Sequence, residues 1–167
     1  MRFSQIKNND IVNGKGIMMS LWTQGCPHHC KGCFNQETWT FKGGQEFTEK
    51  DEQYILDNID AFNVERNLSI LGGEPLCPQN VEGVISLCKK FKEVYPNKKI
   101  YIWTGYTIEA FDETQKEVLQ YIDYLIDGKF EIELKNLSLK LRGSSNQRVI
   151  DVKDTIKNKE LVVLNVD

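Results

Sequence analysis

The sequence predicts an α/β fold, an open partial (βα) barrel of mostly parallel strands. Three observations point there. Runs of β-forming residues alternate with segments of helical period from residue 17 to residue 127, the pattern of repeated βα units. The chain has 167 residues, whereas a closed eight-unit barrel needs about 250. Finally, each polar or Gly-rich cluster follows a predicted strand, and parallel α/β folds bind ligands at those strand ends.

The elements follow in order. Residues 17–23, IMMSLWT, read as a buried strand ending at Gly25 and Cys26. Residues 48–62 start a helix at Thr48, with Asp51 completing a capping-box-like pattern and Tyr54, Ile55, Ile59 and Phe62 at helical spacing. Residues 67–71, NLSIL, form a strand that stops at Gly72-Gly73. Residues 79–95 carry an apolar helical stripe and end before Pro96. Residues 99–104, KIYIWT, are a strand ending at Gly105. Residues 112–121 read as a helix with Val118 and Leu119 inward, and 123–127, DYLID, as a strand closed by Gly128. Residues 1–167 read as one domain, with 151–167 a terminal appendage that could also pair as an edge strand through 161–164.

Composition narrows the function. Hydrophobic residues make up 40% and charged residues 27%, which excludes a highly charged disordered chain. A net charge of −3 lacks the basic excess of a nucleic-acid binder. No apolar run approaches the ~18 residues of a membrane span, and the segment MRFSQIKNND has no apolar signal core. The expectation is a cytoplasmic protein with neither a nucleic-acid nor a membrane partner.

The cysteines carry more information. There are five, Cys26, Cys30, Cys33, Cys77 and Cys88, an odd number that internal disulfides cannot exhaust. Cys26, Cys30 and Cys33 form C-x3-C-x2-C, a spacing that lets thiolates converge on one metal centre. A four-iron cluster held by three cysteines keeps one iron open to a substrate. Structural zinc, with His28, His29 or Cys77 as fourth ligand, fits the same short loop. A C-x2-C redox pair is a third possibility and leaves Cys26 without a role. Met18, Met19 and Cys88 read as core, Trp22 and Trp103 as packing near strand ends, and His28 and His29 as solvent-facing spacers.

The cysteine triplet after one strand and Gly72-Gly73-Glu74-Pro75 after the next resemble the radical S-adenosylmethionine superfamily. Further segments narrow the likeness to the activating proteins of anaerobic ribonucleoside-triphosphate reductases. They are Asp10–Gly16, Asn80, Trp103–Tyr106, Asp127–Phe130 and Arg142–Arg148, so the likeness runs from about residue 5 to residue 151. The resemblance implies a [4Fe–4S] cluster on Cys26, Cys30 and Cys33, the catalytic centre, with S-adenosylmethionine on the open iron. One electron would cleave the sulfonium, and the 5′-deoxyadenosyl radical would take a hydrogen from a glycine of the large reductase subunit. An electron donor such as a flavodoxin is implied.

Under this resemblance the cofactor-binding residues are Gly32, Cys33, Phe34, Gly72, Gly73, Glu74, Thr104, Asp127 and Lys129. Gly72 and Gly73 permit close backbone approach, and Glu74 suits a cationic amino group. Gly32 and Phe34 would border the adenine, and Lys129 would pair with the substrate carboxylate. Thr104 and Asp127 would offer polar contacts or hold a monovalent cation. Arg142–Arg148 would close the site or face the partner, unless it is a plain Gly-Ser turn.

Overall fold

The computed structural model describes residues 1–167. Seven strands form one sheet: β1 (Arg2–Asp10), β2 (Met18–Thr23), β3 (Gln45–Glu46), β4 (Asn67–Gly72), β5 (Ile100–Trp103), β6 (Tyr124–Asp127) and β7 (Arg148–Asp151). Their spatial order is β3-β1-β2-β4-β5-β6-β7. The centre, β2-β4-β5-β6, is parallel throughout. The two sides are antiparallel, through β1 and β3 on one and β7 on the other. The mixed α/β class stands, with its parallel pairings confined to the four central strands.

The four helices are α1 (Glu49–Asn58), α2 (Val81–Val94), α3 (Glu113–Val118) and α4 (Val152–Asn158). The start of α1 is the expected one: the Asp51 carboxylate accepts from the Thr48 backbone N–H at 2.7 Å, satisfying a donor at the helix start. Its end comes earlier than periodicity predicts. The chain leaves the helix after Asn58 and turns through Phe62 at φ +60°, so Phe62 is exposed rather than inward.

Period-2 alternation divides the strand residues between two faces. Met19, Leu21, Leu68, Ile70, Ile100, Ile102, Leu125 and Ile150 join the main core. Helix α2 closes that core with Val81, Val84, Leu87, Cys88 and Phe91. Met18, Tyr101, Ile126 and Val149 face the other way, into a smaller cluster capped by Trp103, Leu141, Leu164 and Val166. Met18, Met19 and Cys88 are core residues, as their positions predict.

Three strands escape sequence reading, the two-residue β3 among them. β1 is polar apart from Phe3 and Ile6 and is only partly buried, so its apolar pattern is weak. β7 contributes only four residues. The tail is a further departure. After α4 it returns to β7, with Asp151 N–H donating to the Val162 carbonyl at 3.0 Å and Leu164 N–H to the Val149 carbonyl at 2.8 Å. The alternative of an added edge pairing through 161–164 is therefore the one realised. No helix is long and apolar enough to cross a membrane.

One buried carboxylate ties the N-terminal ends of the central strands. Asp123, 2% exposed, accepts from the Ile100 N–H and from Lys92 Nζ at 2.9 and 2.7 Å. Burial alone would raise its pKa, but the bonds from Lys92 and Ile100 hold it below the usual 3.8. A depressed carboxylate contributes stability above its unfolded value, and that contribution disappears as pH falls through the folded one. Asp123→Ala is expected to cost about 3 kcal/mol, because it strands buried donors. Urea unfolding at pH 7 measures that loss, and the gap between variant and parent should narrow below pH 3.8.

Candidate functional site

The loops leaving β2, β4, β5 and β6 on the same side of the sheet surround a cavity of about 430 Å3. Cys26, Cys30 and Cys33 line it together with Gly72, Gly73, Glu74, Thr104 and Gly105. The cysteine loop begins where β2 ends and is held by returning backbone bonds. Gly25 N–H donates to Thr38 O at 2.7 Å, and Cys26 N–H to Trp39 O at 3.0 Å. Cys33 N–H closes a turn on Cys30 O at 3.1 Å.

The Gly-Gly-Glu turn packs beneath that loop. Gly73 N–H donates to Thr23 O and Glu74 N–H to Gly25 O, both at 2.8 Å. A Cβ on Gly73 would stand 2.5 Å from the Gly25 oxygen, so only glycine permits this approach. Gly72 adopts φ +105°, and a Cβ there would sit 2.8 Å from the Thr23 backbone. Asn80, buried ahead of α2, locks the turn by donating to Gln24 O and Glu74 O, each at 3.1 Å.

Glu74, predicted to face a cofactor, lines the cavity but commits its carboxylate to the protein. It is 1% exposed. Oε1 accepts from Leu76 N–H at 2.9 Å and Thr104 Oγ1 at 2.8 Å. Oε2 accepts from Gly105 N–H at 2.7 Å and bonds His28 Nε2 at 2.7 Å. His28 is thus no solvent-facing spacer: it rests edge-on against Tyr106 and over Gly105. His29 is exposed, with its ring stacked on Trp39 at 4.6 Å.

The other predicted residues divide between two cavities, apart from Gly32. Phe34 and Thr104 line the main cavity. Phe34 is 55% exposed at its edge, against Phe130 and under Lys135. Gly32, at φ +74°, lies against Ile132 and outside the cavity lining. Asp127 and Lys129 line a neighbouring cavity of about 510 Å3. Asp127 is fully buried and held by the Arg148 guanidinium at 2.9 and 2.6 Å and by Ile108 N–H. A cation therefore already occupies its carboxylate. Cys77 is buried and outside both linings.

Trp39, Leu139 and Leu141 are lining residues that the sequence reading did not single out, whereas Arg142–Arg148 was expected to close the site or face the partner. Arg142 and Gln147 also contribute to the main cavity. Arg142–Arg148 is more than a turn: Gln147 accepts from Gly143 N–H and donates to Gly128 O, both at 2.9 Å. That bonding stands the segment up as a wall of the cavity. The side-chain amides and glycines of RGSSNQR supply those bonds.

The residues fit an iron–sulfur group. Cys26, Cys30 and Cys33, three thiols of one loop, line the cavity together. A single zinc needs its sulfur ligands about 2.3 Å from one centre, whereas a cubane takes one thiolate per iron and is wider. Burial, reinforced by the charge of Glu74, pushes the Cys26 thiol up to about 11 against the His28 N–H, and burial also raises Cys30. Such thiols ionise when a metal binds them. Trp39 Nε1 and Arg142 Nε, both on cavity-lining residues, are buried donors without partners. Buried donors of this kind call for an acceptor.

Comparison with known proteins agrees. A family described as a 4Fe-4S single cluster domain matches residues 12–150. The chain is 40% identical to the anaerobic ribonucleoside-triphosphate reductase-activating protein of Vibrio cholerae over 148 residues, covering 88% of this chain and 96% of that one. The protein of the same name from Escherichia coli K12 is 41% identical over 150 residues, with 89% and 97% covered. That of Enterobacteria phage T4 is 40% identical over 151 residues, with 89% and 93% covered. The chain belongs to this family of activating proteins. The cluster-domain match spans the cysteine loop, the Gly-Gly-Glu turn and the Arg142–Arg148 wall, and stops where β7 ends and the tail begins.

Glu74→Ala strands four donors from three loops. It is expected to lower the stability of the metal-free chain by about 3 kcal/mol, read from the urea midpoint. Glu74→Gln keeps acceptor and volume and should recover part of that loss.

Proposed function

We propose that this chain is a radical S-adenosylmethionine activase that installs a glycyl radical on an anaerobic ribonucleoside-triphosphate reductase. The observation that carries the reading is the placement of three cysteines of one loop around a single cavity, above a glycine turn packed against that loop. Family membership supports it. The same reading extends to the sheet as the open partial barrel of that superfamily. It places the chain in the reducing cytoplasm, supplied by a reductant such as a flavodoxin.

Cys26, Cys30 and Cys33 would hold the [4Fe–4S] cluster. When bound, the cluster would supply the electron that splits a C–S bond of S-adenosylmethionine, giving the 5′-deoxyadenosyl radical that takes hydrogen from a glycine Cα. The remaining work belongs to this chain's own residues. The backbone of Gly72 and Gly73 borders the cavity where an amino group is to be received. Phe34 offers an aromatic face at the edge for an adenine. Thr104 is held in place through Glu74. Lys129, exposed on the lining of the neighbouring cavity, would meet a carboxylate. Glu74 and Asp127 serve by position, since their oxygens are bonded within the protein. Walls from Trp22, Trp103, Leu139 and Leu141 exclude water from a reactive intermediate.

The test is anaerobic reconstitution with iron and sulfide, followed by electron paramagnetic resonance of the reduced protein. A four-iron signal that changes on adding S-adenosylmethionine is expected, and a glycyl signal should follow when the reductase is added. Alanine at Cys26, Cys30 or Cys33 should abolish cluster binding. A cluster indifferent to S-adenosylmethionine would refute the proposal.

A further inference from the structure

The tail beyond the family match reaches the cavity wall. From Lys159 the chain runs back along β7, and Leu164 and Val166 seat on the Met18–Tyr101–Ile126–Val149 cluster. It ends on the wall itself. Asp167 Oδ1 accepts from Lys140 N–H at 2.9 Å, and Asp167 Oδ2 pairs with Arg142 Nη2. Between them, Leu141 O accepts from Trp103 Nε1 at 2.6 Å. Residues 140–142 are therefore pinned from two sides, by β5 and by the tail.

Arg142 then has an unusual state. It lines the main cavity. One end of its guanidinium is fixed by Asp167, while its Nε is buried with no partner. A guanidinium N–H in that position is a directional donor for an anion, and carboxylates are its natural complement. Anchoring the fork beforehand removes side-chain freedom that binding would otherwise have to remove.

We propose that residues 159–167 form a strap whose Asp167 positions Arg142, and that Arg142 binds a carboxylate of the cavity's occupant. Asp167 is a positioning residue, since it meets the occupant only through Arg142. The identity of the carboxylate as that of S-adenosylmethionine rests on the function proposed above; the strap does not.

Hydrogen exchange on the metal-free chain tests the strap. In Asp167→Ala and Asp167→Asn, the amides of 134–147 should exchange at least about tenfold faster relative to those of α2, because a charge-assisted bond has been lost. An unchanged ratio in both variants overturns the strap. In reconstituted protein, Asp167→Ala should keep the reduced-cluster signal and bind S-adenosylmethionine about tenfold more weakly, the scale of one lost charged hydrogen bond. Arg142→Lys, which keeps the charge but not the fork, should lose affinity to a similar extent. Unchanged affinity in Arg142→Lys overturns the role of Arg142, and unchanged affinity in Asp167→Ala overturns its positioning by Asp167. If the parent cluster ignores S-adenosylmethionine, the functional reading fails while the exchange ratio still decides the strap.

Discussion

A buried carboxylate that must be fully bonded organises the site. Glu74 lies at the end of β4, almost without solvent contact. Charge in such a place is tolerated only with close partners. Its four come from the cysteine loop, from the loop after β5 and from its own turn. Meeting that requirement brings three strand-end loops to one point, so the cavity floor is set by the same bonds that satisfy the charge. Glycine at 73 is the matching steric condition, because any side chain there would drive the turn away from Gly25.

The two faces of the sheet are completed by different means. Helices cover one with an ordinary aliphatic core. The other holds the smaller cluster and is finished by the segment between β6 and β7 and by the tail. That second face leads into the cavity through Trp22, Leu71 and Trp103, which share the strand parity of Met18, Ser69 and Tyr101. Asp10 adds a fixed corner: its carboxylate accepts from Val12 N–H, Asn13 N–H and Ser20 Oγ, and Val12 and Asn13 line the cavity. Backbone bonding rather than apolar packing thus shapes much of the site's edge.

The site was legible where its residues are close in sequence and chemically unusual. Three cysteines within eight positions, and Gly-Gly-Glu-Pro after a strand, can be read directly. His28 could not be placed, since nothing local says whether an imidazole turns outward or toward a carboxylate 46 residues away. Trp39 was hidden for the same reason, and for Arg142 the sequence left open whether its segment closes the site, faces a partner or is a plain turn. Asp127 shows the reverse: its strand-end position suggested a ligand contact, and only the fold reveals Arg148 already bonded to it.

The sequence alone determined the central βα alternation, the start of α1, the aliphatic stripe of α2 and the cysteine set, because period, capping chemistry and short spacing are local properties. It could not determine β1 or β7, whose strand character comes from pairing with neighbours rather than from their own apolar pattern. Nor could it determine that the tail returns to the sheet, or that Glu74 bonds inward. Those outcomes depend on hydrogen bonds between groups tens of residues apart, which exist only once the strands are in register and the loops share one end of the sheet.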